Sequence, residues 1–206
     1  MDIEFKNVSY SYNDLENVLS NVSFSVHGNH IFRLSGRNGA GKSTLLKLLT
    51  KINCNYTGDI LVNEKEMREW KRKDIISNIG ICFQEPVMYV DTIFNNITLG
   101  QPGIPMEQLN SYIELLDTKK FIEESKKDQI IGKNFSLSGG QQQLISILRN
   151  IYTNKEVLIF DEPTSNLDGV VKKNFIDLLD DLKYNHTIIL ITHDSELGSK
   201  YEQILL

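Results

Sequence analysis

Gly36-Arg37-Asn38-Gly39-Ala40-Gly41-Lys42-Ser43-Thr44 decides the reading of this chain. It fits the pattern G-x-x-x-x-G-K-[S/T], and its surroundings agree with it. The apolar run Ile31-Phe32-Arg33-Leu34 leads in as a strand, and Leu45, Leu46, Leu48 and Leu49 follow on one face of a helix. Glycines let backbone N–H groups turn inward, and the helix N-terminus behind them adds a positive field, so the loop suits a captured phosphate. Lys42 is then placed to reach β- and γ-phosphates, and Ser43 to ligate Mg2+.

Two further stretches extend this chemistry. Val157-Leu158-Ile159-Phe160-Asp161-Glu162 reads as a buried strand ending in two carboxylates. Asp161 then lies at a strand's carboxyl end, where ligands sit in open α/β sheets. There it would hold Mg2+ through water, and Glu162 would be the general base that polarises attacking water. Leu137-Ser138-Gly139-Gly140-Gln141 opens a second helix, with Ser138 as N-cap and two glycines exposing backbone N–H groups. One nucleotide does not need two such cradles on one chain, which points to a site completed by another chain.

The rest of the sequence bounds these readings. A length of 206 residues suits one domain, with or without a subdomain. With 22 basic against 27 acidic side chains, the net charge of −5 argues against a broad basic surface, and no nucleic-acid partner is expected. Cys54 and Cys82 lack metal-ligand spacing and form no disulfide framework, so a reducing cytosolic setting is expected. No apolar run approaches the ~18 residues a bilayer span needs. The start, Met-Asp-Ile-Glu-Phe, lacks the order of a secretion signal. A membrane role would come through a partner or a segment outside this chain. The excess of Lys over Arg suggests a low-GC bacterial source.

The expected fold is α/β. Ile3–Val8 and Val22–Val26 alternate like half-buried antiparallel strands, and Ile79–Phe83 and Thr187–Ile191 read as buried ones. Helical patterns run over about 92–127, broken at Pro102-Gly103-Ile104-Pro105, then over about 138–152 and 170–183. The core sheet should be mixed or parallel, with an N-terminal antiparallel β part. Residues of about 1–84 and 157–206 should form the catalytic core, and about 85–156 a helical subdomain. His27, His30 and His186 have no motif context and read as surface residues, and the charged run over 123–128 as a solvated face.

In order and spacing, these motifs resemble the nucleotide-binding domain of an ABC transporter, a phosphate-loop ATPase, over nearly the whole chain. The resemblance implies ATP with Mg2+ as cofactors. It makes Gln84 the glutamine-loop residue, a contact of Mg2+ and water that senses the γ-phosphate, and Leu137–Gln141 the signature. Ser165-Asn166-Leu167-Asp168 is similar to the D-loop, with Asp168 acting between subunits, and His193 falls on the switch histidine. Tyr12 best matches the adenine-stacking aromatic, with Tyr10 as the alternative. Lys42, Gln84, Glu162 and His193 are the implied catalytic set, and ATP on Gly36–Thr44 of one subunit would be closed over by Ser138, Gly140 and Gln141 of a second in a head-to-tail dimer.

Thr92–Ile97 and Ile131–Ser136 resemble exporter segments. They imply a transmembrane domain, fused or separate, at the cytoplasmic face of the cell membrane. Some positions depart from the pattern. Lys133 replaces a usual Glu, Leu144 a basic residue near the bound phosphate, and Pro163 the Ala common in exporters. The chain stops at Leu206, where family members continue, so a short or truncated version is expected. The alternative implied by the same motifs is a soluble ABC ATPase without a transport role.

Overall fold

The computed structural model describes residues 1–13, 16–37, 39–124, 129–194, 197 and 200–206; Asn38 and the side chains of the charged run over 123–128 lie outside the described residues. In chain order the strands are β1 (Ile3–Ser11), β2 (Asn17–Val26), β3 (Ile31–Ser35), β4 (Thr57–Val62), β5 (Lys65–Glu66), β6 (Ile79–Cys82), β7 (Val157–Asp161), β8 (Thr187–Ile191) and β9 (Glu202–Leu205). The helices are α1 (Lys42–Leu49), α2 (Arg72–Asn78), α3 (Ile93–Thr98), α4 (Met106–Leu115), α5 (Lys119–Glu124), α6 (Gly139–Tyr152) and α7 (Gly169–Leu182).

β2, β1, β4 and β5 pair antiparallel in that order, and β6, β7, β8, β3 and β9 pair parallel in that order, with the continuous apolar strands β7 and β8 at its centre. The sheet at the core is therefore parallel in every pairing, and the antiparallel pairings belong to the other sheet. Period-2 side-chain direction explains why β7 and β8 carry no polar face. Leu158, Phe160, Ile188 and Leu190 point to one side, into a cluster with Ile145 and Leu148 of α6 and Phe175 and Leu178 of α7. Val157, Ile159, Ile189 and Ile191 point to the other, against Leu45 and Leu48 of α1 and Phe5 and Ile60 of the antiparallel sheet. Phe160 and Phe175 meet edge to face at 5.5 Å.

Two expectations are corrected, at Phe83 and His186. The buried strand ends at Cys82, its last pairing being with Phe160, and Phe83 emerges half exposed. His186 is buried in the turn that leads from α7 into β8, with Nδ1 2.8 Å from the Lys155 carbonyl oxygen and its N–H donating to the Leu182 carbonyl at 3.0 Å. Leu144 is buried on the apolar face of α6 and contributes to the core. The expected helical region between β6 and β7 divides into α3, α4 and α5. Thr92 caps α3 by accepting from Asn95 N–H, and Leu99 and Gly100 end it in left-handed conformations before Pro102.

Candidate functional site

Parallel pairing sends the carboxyl ends of β3, β6, β7 and β8 to one edge, and each leads into a segment singled out from sequence. β3 runs into the glycine loop, β6 into Gln84, β7 into Glu162 and β8 into His193. These segments surround a cavity of about 610 Å³, lined by Gly39 to Thr44, Gln84, Asp161, Glu162, Ser165 and His193, with Val18 and Ile191 as apolar walls.

The loop is built to leave its N–H groups available. Gly41 is the N-cap of α1 at φ 94°, and no side chain caps the helix. Its conformation and crowding both demand glycine, because an added Cβ would lie 2.5 Å from Leu19 Cδ2 and 2.9 Å from the Val18 carbonyl oxygen. Lys42 Nζ folds back over the loop and donates to the Gly36 carbonyl at 2.7 Å and the Arg37 carbonyl at 3.2 Å. Gly36 thus holds the lysine and does not itself line the cavity. Ser43 is exposed to the cavity, whereas Thr44 is buried with its hydroxyl 3.1 Å from Tyr12 OH.

Burial raises the Asp161 carboxyl above its ordinary pKa, Glu162 raises it further, and Lys42 opposes both. Glu162 sits at φ 46°, a left-handed conformation that costs a non-glycine residue about 1–2 kcal/mol. Its N–H donates to the Ile191 carbonyl at 2.8 Å, which ties the end of β7 to the end of β8. Its Oε2 accepts from His193 N–H at 3.4 Å, and its Oε1 lies 3.7 Å from His193 Nε2. That Oε1 is buried and has no hydrogen-bond partner, an acceptor left open in a strained position.

Other expected site residues lie away from this cavity. Ser138 and Gln141 form a reciprocal capping box at the start of α6, at 3.2 and 3.0 Å, and with Gly140 they do not line it. Asp168 caps α7, accepting from Val170 and Val171 N–H at 3.0 Å each. Tyr12 is 55% exposed, beside a second cavity of about 640 Å³, while Tyr10 is buried and packs edge to face against it at 5.0 Å. The Tyr12 hydroxyl also accepts from Lys47 Nζ at 3.3 Å. Val18 and Ile191 were not expected in the site. Both are ordinary strand residues whose place depends on which loop each strand end meets.

A second surface adjoins the site. Phe83, Val87, Tyr89, Val90 and Phe94 are each 49–62% exposed along the stretch that leaves Gln84. Arg149 of α6 fastens this stretch from beneath. It donates to the Val87 carbonyl at 2.8 Å, the Asn96 carbonyl at 2.6 Å and Asn96 Oδ1 at 3.2 Å, and its guanidinium stands 5.3 Å from the Tyr89 ring centre.

Fold and cavity together define an α/β ATP-binding domain of the phosphate-loop class. Residues 19–165 match the family model for the ABC transporter. The chain belongs to the ABC transporter family. It is 38% identical over 200 residues to the alpha-hemolysin translocation ATP-binding protein HlyB of Escherichia coli O157:H7, a match covering 93% of this chain and 28% of that protein. It is 35% identical over 209 residues to the ATP-dependent lipid A-core flippase of Haemophilus influenzae (strain 86-028NP), covering 99% of this chain and 36% of that one. Among solved structures, a bacterial Atm1-family ABC exporter with ATP bound superimposes with a TM-score of 0.90 at 26% identity, over 100% of this chain and 37% of that one. The chain spans 28–37% of the length of these relatives.

Proposed function

We propose that this chain binds and hydrolyses ATP as the motor of an exporter, working as a head-to-tail pair at the cytoplasmic face of the cell membrane. The observation that carries this reading is the convergence of Lys42, Asp161, Glu162 and His193 on one cavity at the carboxyl edge of a parallel sheet.

In this reading, the N–H groups of Gly39 to Thr44 cradle the phosphates, and Lys42 Nζ exchanges its loop carbonyls for β- and γ-phosphate oxygens. The Ser43 hydroxyl, the Asp161 carboxylate and the Gln84 amide oxygen fit Mg2+, which takes one or two carboxylates together with substrate phosphate and water. When bound, the cation would neutralise charge on the β- and γ-oxygens. Glu162 Oε1, open and buried, takes the proton of the attacking water, whose oxygen bonds to the γ-phosphorus as the bond to the β–γ bridging oxygen breaks. His193 stands beside Glu162 to hold the γ-phosphate end, and Tyr12 offers its exposed face to adenine.

Because Ser138, Gly140, Gln141 and Asp168 stay away from their own chain's cavity, a second copy is their natural user. Its ATP would meet the open N–H groups at the start of α6. The exposed apolar stretch from Phe83 to Phe94 would receive the membrane domain, with 85–156 acting as a helical subdomain between that contact and the ATP. This patch favours the membrane-docked reading over the soluble one. Among the described residues, no helix is long and apolar enough to cross a membrane, so in this reading the span belongs to another polypeptide or another part of a longer one.

The test is phosphate release by the wild-type chain and by Glu162→Gln, with ATP binding measured alongside. Loss of the base should lower turnover about 10²–10⁴-fold while binding survives. Lys42→Ala should lose ATP affinity. Turnover near wild type in Glu162→Gln would overturn the assignment of Glu162.

A further inference from the structure

We propose that the Lys172–Asp194 ion pair is a positioning contact for His193, fixing the loop that carries the imidazole to the first turns of α7. The inference deepens the hydrolysis reading and rests on it. His193 itself offers little to hold it, because its side chain is 59% exposed. Its place therefore follows from its backbone, and the backbone is anchored on both sides. Before it, Thr192 is buried, its carbonyl accepting from Arg33 Nη2 at 3.3 Å. After it, Asp194 N–H donates to the Thr192 hydroxyl at 3.0 Å, and Asp194 Oδ2 meets Lys172 Nζ at 2.6 Å.

The pair is unlike an ordinary surface bridge. Its side chains are only 24% and 17% exposed, so water and salt screen it less and its geometry is more tightly held. Lys172 lies one turn into α7 and donates its N–H to the carbonyl of Asp168, the residue that caps the helix. The 165–168 turn that leads into this helix is pressed against the start of α6, where a Cβ on Gly140 would lie 2.8 Å from the Asn166 carbonyl oxygen. One short run of packed contacts thus joins the signature segment, the 165–168 turn, Lys172, Asp194 and His193. A small displacement of Asp194 moves the imidazole relative to Glu162, 3.7 Å away, without touching the phosphate loop. Positioning of this kind acts on the chemical step and leaves nucleotide binding alone.

The experiment compares Lys172→Met, Asp194→Asn and the charge-reversed double variant Lys172→Asp/Asp194→Lys with the wild type. Contact couplings of this kind imply that each single variant loses about fivefold to tenfold in kcat. KM for ATP should stay within about twofold and the melting temperature within a few degrees, and the reversed pair should recover most of the loss. Single variants with wild-type kcat would overturn the proposal. So would parallel losses in kcat, ATP binding and stability, or a double variant no better than the singles.

Hydrogen exchange of the amides at 191–194, read without nucleotide, gives an answer that does not depend on turnover. Exchange should quicken in both single variants and return in the reversed pair, and unchanged exchange would overturn the proposal. A wild-type chain that fails to hydrolyse ATP would refute the hydrolysis reading instead.

Discussion

Arg149→Met tests whether one partly buried cation fastens the stretch after Gln84 to α6. The Arg149 guanidinium makes three hydrogen bonds, to the carbonyls of Val87 and Asn96 and to Asn96 Oδ1. Bonds from a charged donor contribute about 1.5–3 kcal/mol each. They are not lost equally. Val87 is 59% exposed, so water replaces the arginine there. Asn96 is fully buried; its Oδ1 keeps the bond from Tyr89 N–H at 2.8 Å, but its carbonyl loses its charged donor at a cost of about 1–3 kcal/mol. Against this, burial holds the Arg149 pKa below its ordinary value, a sign of a desolvation cost that the substitution removes. Methionine also keeps most of the aliphatic stem in place.

The net loss should be about 1–3 kcal/mol, which for a domain of this length shifts the melting temperature by about 2–12 °C. Thermal and urea denaturation of both proteins read it. Arg149→Lys should fall between them, because an ammonium keeps the charge but not the planar fork that reaches three acceptors. A loss below about 1 kcal/mol in Arg149→Met, or a lysine variant as unstable as the methionine one, would refute the reasoning.

Further outcomes follow from backbone crowding and charge. Gly41→Ala should lower ATP affinity at least about tenfold, since a left-handed φ and a 2.9 Å approach to a backbone oxygen leave no easy relaxation; binding titration decides. Gly39→Ala is its control: φ is 84° but the space is open, so a stability loss of about 1 kcal/mol from strain alone is expected in denaturation. Gly80→Ala should destabilise by about 2–4 kcal/mol on melting, because its Cβ would meet Asn150 Oδ1 at 2.1 Å and disturb the Asn150 bond to the Ile159 carbonyl. Burial pushes the Asp180 pKa up, but bonds from Lys200 and Lys183 hold it below the ordinary value. Its stabilisation is therefore present above the ordinary carboxylate range and lost as pH falls through the lowered value. Asp180→Asn should cost under about 1 kcal/mol near neutral pH and nothing in strong acid, as melting across pH will show.

The strands β7 and β8, the helices α6 and α7 and the phosphate loop were legible in the sequence because each is locally consistent. Continuous apolar runs, a serine cap with Gln141 three residues on, and a glycine pattern all favour the conformation that forms. β4, β5 and α2 carried weaker patterns, and their form depends on pairing with β1 and packing under the core. In the site, Lys42, Ser43, Gln84, Asp161, Glu162 and His193 were readable from motif order, and they do converge. Val18 was not. It enters the cavity because Leu19 packs on Gly41, a contact between segments more than twenty residues apart. The Lys172–Asp194 pair was equally silent, since a lysine on a helix and an aspartate in a loop carry no pattern until the sheet brings them together.

Glu162 shows how the sheet overrides local preference to make the site. A glutamate does not choose a left-handed conformation by itself, and left alone the chain would continue extended past Asp161. The bond from Glu162 N–H to the Ile191 carbonyl fixes where the turn begins, and it exists because β7 and β8 are parallel and end in register, Asp161 opposite Ile191. The turn separates two adjacent carboxylates that would otherwise lie on opposite faces of one strand. Asp161 stays on the side of Lys42, which only partly offsets the rise in its pKa from burial and from Glu162, while Glu162 is delivered to His193 with one oxygen unpaired. In the proposed reading, neighbours in sequence would thereby take different work, one toward the phosphates and one toward water. The cost of that strain, about 1–2 kcal/mol, falls on the pairing of two fully buried strands, the part of the fold best able to hold it.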